Sequence, residues 1–196
     1  SLRAFDDLVK EGKVRYIGTS NDSAYGLTKA NEASKYNKLA RFESIQNNFS
    51  LLNPRFLDEL ATVCRRENIS LLPYSPIGGG VLSGKYNGGF FPTDARFTAY
   101  KNNKSVRVQA MASRFVNDKT LGATAKYMAL AKEYGISPVT LAVAYSKHFD
   151  FVASTIIGAR VLNQLDDSLK AFSFKIDDEL MKKIEEIQKE ILYPMG

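Results

Sequence analysis

The sequence predicts an α/β fold built on a parallel sheet that is either doubly wound or closed into a barrel. Short apolar strand patterns alternate with amphipathic helical patterns along the chain, which is typical of strands joined by helical crossovers. The strand pattern ISLLPY is nearly continuous in apolar residues, as expected when helices cover both faces of a sheet. The third observation is length: 196 residues hold only about four strand–helix units, whereas a closed eight-stranded barrel takes about 250 residues.

The first half of the chain predicts three strands separated by helices. The pattern RAFDDLVKEGK is amphipathic and ends at Gly12, a suitable C-terminal cap. Because this first element is a helix with no strand before it, the sequence is expected to begin within a fold. Ser23 is a candidate N-cap, and Pro54 suits the first turn of a helix. The strands are VRYIG, FESIQ and ISLLPY, and the helices between them are YGLTKANEASKY and PRFLDELATVCRREN.

The second half of the chain predicts helices around one further strand. A long glycine-rich segment is followed by the helices TLGATAKYMALAKEYG and SPVTLAVAYSKHF, the second opening on Ser137 and Pro138. FVASTIIG is the fourth strand, and LNQLDDSLKAF is the helix after it. A last helix, over about residues 177–192, places four aliphatic side chains on one face: Leu180, Ile184, Ile187 and Ile191.

Composition excludes several classes of protein. No apolar run approaches the roughly 18 residues of a membrane span, and no signal peptide is visible at the N-terminus. The single cysteine, Cys64, is expected to be a core residue of a cytoplasmic protein. The net charge of +6 comes from basic residues that we interpret as spread among acids, so nucleic-acid binding is not expected. The lone histidine, His148, is expected at an exposed helix end, and one His with one Cys cannot form a zinc site.

The stretch LLPYSPIGGGVLSGKY contains most of a phosphate-binding P-loop, because Gly79, Gly84 and Lys85 satisfy the spacing G-x-x-x-x-G-K. A P-loop needs Ser or Thr after the lysine to ligate magnesium, and here that residue is Tyr86. It also runs directly into a helix, whereas the next residues, NGGFFPTDARF, are rich in turn formers. The sequence therefore does not predict a nucleoside triphosphate site.

Several stretches together resemble the aldo-keto reductases, most closely the branch of Tas-like proteins and voltage-gated potassium channel beta subunits. These stretches are EGKVRYIGTSN, SIQNNFSLL, LLPYSPIGGGVLSGKY, PTDARF and STIIGARVLNQLDDSLKAF. The resemblance implies a (β/α)8 TIM-type barrel that holds NADPH in extended form. It also implies that this chain, over residues 1–196, is the C-terminal half of such a barrel, with roughly strands five to eight and their helices.

The resemblance assigns the nicotinamide end of the cofactor to strand ends. Ser20 and Asn21 match the residues that hydrogen-bond the carboxamide, Gln46 matches a second contact to that amide, and Tyr74 matches the aromatic ring that stacks on the nicotinamide. Hydroxyl and amide side chains complement the donors and acceptors of a primary amide. Barrel active sites lie at the carboxyl ends of the strands, where these residues fall.

The glycine-rich segment, about residues 74–104, matches the loop that closes over the cofactor's pyrophosphate. Glycines allow the backbone to approach phosphate oxygens closely, and a lysine compensates their charge. The matching residues are Ser75, Pro76, Ile77, Gly78, Gly84 and Lys85. Arg96 either contacts the cofactor or stabilises the loop, and the sequence leaves both readings open.

The adenosine end is assigned to the turn and helix after the fourth strand. Gly158 lies in the turn, and Arg160 matches a position that binds the 2′-phosphate, which favours NADPH over NADH. Helical spacing places three further residues on one face: Gln164, Asp167 and Ser168. Asp167 and Ser168 stand where the family usually has Glu and Asn, so a shorter acid and a hydroxyl replace the usual contacts.

The resemblance also implies that the catalytic Asp, Tyr, Lys and His lie on the first half of the family's barrel, so no catalytic residue is assigned here. Two functions stay open. In the first, the chain is the cofactor-binding part of an NADPH-dependent reductase of a small aldehyde or ketone. In the second, it is a non-catalytic half-barrel that binds NADPH or a protein partner. Open sheet edges predict self-association in either case.

Overall fold

The sheet is parallel and three-stranded in a computed structural model that describes residues 2–195, so Ser1 and Gly196 of the predicted domain lie outside the described residues. The strands lie in chain order: β1 (Ile17–Ser20), β2 (Phe42–Asn48) and β3 (Ser70–Tyr74). Both neighbouring pairs are parallel, and the register places Ser20 beside Gln46, and Asn48 beside Tyr74. The predicted α/β class is therefore correct, and the carboxyl ends of all three strands meet at one edge.

The helices occupy the segments that the sequence patterns indicate, with two short additions. Ser23 caps α2 by accepting a hydrogen bond from the Gly26 amide, and Ser137 caps α7 by accepting one from the Thr140 amide. The α-helices are α1 (Leu2–Lys10), α2 (Ala24–Tyr36), α3 (Leu60–Glu67), α4 (Arg96–Lys101), α5 (Val106–Phe115), α6 (Asp118–Glu133), α7 (Pro138–Lys147), α8 (Asn163–Lys170) and α9 (Asp178–Glu190).

The helix predicted from Pro54 onward is divided. Arg55–Leu57 forms one turn of 3-10 helix, and α3 begins only at Leu60. The break falls at Glu59, whose backbone lies outside the helical region, with φ −135° and ψ −47°. The amphipathic period continues through both parts, which is why the sequence pattern predicts one helix.

The fourth predicted strand, FVASTIIG, is not a regular strand. Its backbone begins a parallel pairing with β3: the Leu71 amide donates to the Phe151 carbonyl at 2.8 Å, and the Ala153 amide donates to the Leu71 carbonyl at 3.0 Å. The next rung would need an amide at position 73, and Pro73 has none. An isolated bridge therefore joins Leu71 and Val152, and contact resumes further along, where the Ile156 amide donates to the Pro73 carbonyl at 2.8 Å.

The predicted loop over residues 74–104 is more ordered than its composition indicates. It contains two 3-10 turns, Gly78–Ser83 and Asn87–Gly89, followed by α4, and it continues into α5, which the sequence does not predict. The segment is anchored by Phe97, which is buried, stacks on Phe115 at 4.8 Å between centroids, and donates its backbone amide to the Tyr86 hydroxyl at 3.2 Å.

The two faces of the sheet differ. On one face, Ile45 and Leu71 are fully buried in a core that contains an aromatic cluster: Phe49, Phe56, Tyr145, Phe149 and Phe151. Alternation places the neighbouring residues on the other face, which no described element covers. That uncovered face is mostly small and polar, with Gly18, Ser20, Ser44, Gln46, Ser70 and Leu72. This face is therefore mostly polar, and the self-association expected from open sheet edges stays a prediction.

Candidate functional site

The end of β1 turns sharply and is held against the end of β2. Asn21 follows the last strand residue with φ of +54°, in the left-handed region that non-glycine residues seldom adopt. Its backbone amide donates to the Gln46 carbonyl at 3.1 Å, and the Ser20 hydroxyl donates to the same carbonyl at 3.0 Å. These contacts place the polar side chains of Ser20 and Asn21 at the carboxyl edge of the sheet.

Tyr74, at the end of β3, completes this group. Its hydroxyl donates to the Asn21 side-chain oxygen at 2.7 Å, while the Asn21 side-chain amide donates to the Ser20 hydroxyl at 3.1 Å. Gln46 shares the register position of Ser20, and its side chain is exposed on the uncovered face. The structure therefore brings Ser20, Asn21, Gln46 and Tyr74 together at one edge, as expected, and their roles toward a cofactor stay predictions.

Two asparagines at this edge were missed by the sequence reasoning. The Asn47 side-chain oxygen accepts a hydrogen bond from the Asn21 amide at 2.8 Å, which fixes the turn after β1. The Asn48 side-chain oxygen is buried and has no hydrogen-bond partner among the described residues. A buried polar atom without a partner costs free energy, so this oxygen is a candidate acceptor for a bound group. Polar residues that directly follow a strand, as in QNN, were the available signal.

The glycine-rich turn after β3 uses backbone conformations that its glycines permit. Ser75 has φ of +54°, and Gly78, Gly79, Gly80 and Gly84 all have positive φ. A Cβ on Gly80 would lie 2.9 Å from the Lys85 amine nitrogen, so the absent side chain makes room for that amine. Of the other matched residues, Pro76 is buried and Ile77 is half-buried. The turn is thus shaped around the lysine.

Lys85 belongs to a group of three cations. Burial of its amine, together with the charges of Arg96 and Arg160 nearby, lowers the pKa of that amine below its ordinary value of 10.5. None of the three side chains forms an ion pair with a carboxylate within residues 2–195. Mutually repelling, uncompensated cations of this kind indicate a site for an anion.

Arg160 connects the turn before α8 to the glycine-rich segment. Its guanidinium donates to the Asp94 carbonyl, and its backbone amide donates to the Gln164 side-chain oxygen at 2.9 Å. On α8, the Asp167 carboxylate pairs with Lys170 at 3.1 Å, and Ser168 is half-buried. Nothing lies within 4 Å of a Cβ placed on Gly158, so crowding does not explain that glycine.

A dinucleotide fits this donor set. The edge formed by Ser20, Asn21 and Tyr74 offers amide-binding groups beside an aromatic ring, and the three cations suit phosphates. None of the predicted site residues lines the concavity beside Arg114 and Tyr193 or the one beside Ser23 and Arg55.

Other expectations concern residues away from this edge. His148 is exposed at the end of α7, as predicted. Cys64 is buried in the core, also as predicted, and desolvation raises the pKa of its thiol to about 11. Across the described ranges, no three His, Cys, Asp or Glu side chains are grouped so as to hold a metal ion. Among the same residues, no helix has the length and apolar character needed to cross a membrane.

Comparison with known proteins decides the family. The model of the aldo/keto reductase family matches residues 1–189. The chain belongs to the aldo/keto reductase family. It is 33% identical over 194 residues to Protein tas of Escherichia coli (strain K12), covering 99% of this chain and 54% of that protein. It is 30% identical over 189 residues to a putative voltage-gated potassium channel subunit beta of Schizosaccharomyces pombe. That match covers 95% of this chain and 54% of that protein.

A solved structure supports the fold of this aldo/keto reductase chain. The glycerol dehydrogenase AKR11B4 from Gluconobacter oxydans superposes with a TM-score of 0.74 at 23% identity, over 98% of this chain and 54% of that one. The chain therefore spans about half the length of the relatives that it matches. The predicted resemblance to the Tas-like and potassium channel beta-subunit branch is confirmed by these matches.

Proposed function

We propose that this chain supplies the cofactor-binding half of an NADPH-dependent aldo-keto reductase, which transfers a hydride to a small aldehyde or ketone. In this proposal the chain contributes roughly strands five to eight of a (β/α)8 barrel. Two observations carry it: an amide-binding group beside an aromatic ring at the ends of β1 and β3, and three cations without carboxylate partners in the segments that follow β3 and precede α8. A nicotinamide dinucleotide presents the complementary carboxamide, planar ring and phosphates.

Each group has a defined task in this proposal. Ser20, Asn21 and Gln46 hold the carboxamide, which fixes the nicotinamide ring in its plane, and the Tyr74 ring packs against it. Lys85 and the glycine-rich turn hold the pyrophosphate. The bound cofactor supplies the hydride. The hydrogen bond from Tyr74 to Asn21 aligns both side chains before the cofactor arrives, so less conformational freedom is lost on binding.

The adenosine end distinguishes the two nicotinamide cofactors. In the proposal Arg160 binds the 2′-phosphate, which only NADPH carries, while Gly158, Gln164, Asp167 and Ser168 surround the adenosine. A charge-assisted hydrogen bond contributes about 1.5–3 kcal/mol, so Arg160→Ala should weaken NADPH binding by roughly 10- to 150-fold. NADH binding should change by less than about threefold. Titration of nicotinamide fluorescence with both cofactors measures the two losses.

The matched control is Arg15→Ala, which removes an exposed arginine that precedes β1 at the opposite edge of the sheet. Equal losses for NADPH and NADH in Arg160→Ala would refute the assignment of Arg160. Arg96→Ala resolves the two readings of Arg96. A lower affinity with unchanged thermal stability indicates a cofactor contact, whereas a lower melting temperature with unchanged affinity indicates a role in the loop.

A non-catalytic half-barrel is the alternative, favoured by the coverage of only about half of each relative. NADPH oxidation with aldehydes and ketones separates the two. We expect the 196-residue chain to bind NADPH without turnover, and turnover to appear once a chain carrying the family's first half is supplied. Binding that never leads to reduction would support the alternative. A cytoplasmic location is part of the proposal, because a reducing compartment suits the unpaired thiol of Cys64.

A further inference from the structure

The positive charge of this protein is concentrated in one segment. Residues 96–119 carry six basic residues and one acidic residue, a net charge of +5 out of the chain's +6. The remaining 172 residues are therefore almost neutral. Outside this segment basic residues are spread among acids, as interpreted above, but within it the accompanying acids are nearly absent.

The segment folds as a helical hairpin of α4 and α5, which we call the basic hairpin. Phe97 of α4 stacks on Phe115 of α5, and the buried Phe97 also contacts Tyr86, which fastens the hairpin to the glycine-rich turn. Arg96, the first residue of α4, is one of the three cations around Lys85. A six-residue helix is about 9 Å long, so the hairpin extends its charge outward from the candidate phosphate site.

The charges of the basic hairpin are free to act at a distance. Lys101, Lys104 and Arg107 are exposed, and none of them pairs with a carboxylate among the described residues. Basic residues elsewhere are often neutralised, as in the contacts Lys10–Asp6 at 2.6 Å and Arg65–Asp150 at 2.8 Å. An unneutralised group of like charges at the rim of a binding site raises the local concentration of ligands of opposite sign.

We infer that the basic hairpin is an electrostatic collecting surface that attracts an anionic dinucleotide to the cation group of Lys85, Arg96 and Arg160. This inference rests on the proposed function, since it assumes that the cofactor phosphates bind there. The ligand class that it selects is a nucleotide with several phosphate charges, so NADPH benefits more than NADH. We expect its effect on the rate of association, because charges that act at a distance speed the encounter without holding the bound ligand.

The test compares two triple variants that lower the net charge equally. The first is Lys101→Gln, Lys104→Gln and Arg107→Gln together. The control is Arg15→Gln, Lys35→Gln and Lys38→Gln together; these exposed residues precede β1 and β2 and so lie at the opposite edge of the sheet. Glutamine has a helix propensity close to that of lysine and arginine, so both variants should fold. Stopped-flow nicotinamide fluorescence with NADPH gives the association and dissociation rate constants.

At a salt concentration of about 20 mM, where screening is weak, the hairpin variant should associate about three- to tenfold more slowly than the wild type. At about 300 mM salt the difference should nearly vanish. The dissociation rate constant should stay the same, the control variant should change by less than about twofold, and the loss for NADH should be smaller than that for NADPH.

Three results would overturn the inference: equal slowing in both triple variants, slowing in neither, or a change confined to dissociation. The first would mean that only net charge matters, the second that the hairpin serves some other anionic partner, and the third that it contacts the cofactor directly. Failure of the proposed function looks different, because the wild-type chain would then bind no NADPH at any salt concentration.

Discussion

At the scale of single residues, the site is assembled by side chains that hold one another. Asn21 is the centre of the group. Its side-chain oxygen accepts a hydrogen bond from the Tyr74 hydroxyl, and its side-chain nitrogen donates one to the Ser20 hydroxyl. Its backbone amide donates to the Asn47 side-chain oxygen. This network gives hydrogen-bond partners to these polar side chains, and it fixes the orientation of the Asn21 side-chain amide. Only Ser20, Asn21 and Tyr74 of this network were predicted from the resemblance.

The Lys85 amine predicts a pH dependence of cofactor binding. Since burial and two neighbouring cations lower its pKa in the folded protein, the amine loses its charge at a lower pH than an ordinary lysine. For stability, the unfolded chain then binds more protons, so this residue makes folding more favourable as pH rises through the interval between the two pKa values. For NADPH the sign is opposite: affinity should fall as pH rises through the lowered pKa.

Binding titrations of the chain with NADPH at several pH values between about 7 and 10 measure this effect. Once the amine is neutral, the loss of affinity approaches tenfold per pH unit. Lys85→Arg is the control, because a guanidinium stays charged over the whole range, and its affinity should change little with pH. Lys85→Gln should bind weakly and lack the alkaline decline. An alkaline decline that persists in Lys85→Gln would assign it to another group.

At the scale of elements, the glycine-rich turn determines where the cations lie. Gly84 has φ of +80°, and a Cβ there would lie 2.5 Å from the Met128 sulfur of α6. We expect Gly84→Ala to destabilise the fold by about 1–2 kcal/mol from the backbone alone, which lowers the melting temperature by about 2–8 °C. Differential scanning calorimetry measures the shift.

Gly122→Ala is the matched control for this element. Gly122 lies within α6, is exposed, and has open space where a Cβ would lie, with no atom within 4 Å, so alanine should stabilise the helix by up to about 1 kcal/mol. The two substitutions add the same methyl group, but Gly84→Ala should lower the stability of the fold and Gly122→Ala should raise it. A neutral Gly84→Ala would show that the turn tolerates an ordinary residue and is not fixed by its left-handed backbone.

At the scale of the whole molecule, the described sheet has one free edge at β1 and one uncovered face. We expect association that increases with protein concentration, through pairing at this edge. Tyr16 precedes β1 and is 77% exposed, so Tyr16→Lys places a charge at the edge and should weaken association. Sedimentation velocity over a wide concentration range measures it.

The control for this prediction is Tyr36→Lys, at the end of α2, where the tyrosine is 89% exposed and lies outside the β1 strand. It should leave association unchanged. A wild-type chain that stays monomeric at every concentration would contradict the prediction, and the polar character of Ser44 and Ser70 on the uncovered face would explain that outcome.

The sequence by itself determined the α/β class, the order of the first three strands and of most helices, and the family. These follow from local signals: strand and helix periodicities, caps such as Ser23 and Ser137, and short motifs whose residues are adjacent in the chain. The residues at the carboxyl edge could be proposed because parallel strands end together, so a position after each strand already implies proximity.

Tertiary structure alone decided three further points, because each depends on contacts between distant parts of the chain. Whether FVASTIIG forms a strand depends on its neighbour, and Pro73 removes the amide that the next rung needs. The role of Asn47 depends on its contact with the turn after β1, and the burial of the Asn48 side-chain oxygen depends on the packing around it. The grouping of Lys85, Arg96 and Arg160 depends on a chain that returns to the same edge after more than sixty residues, which no local pattern records.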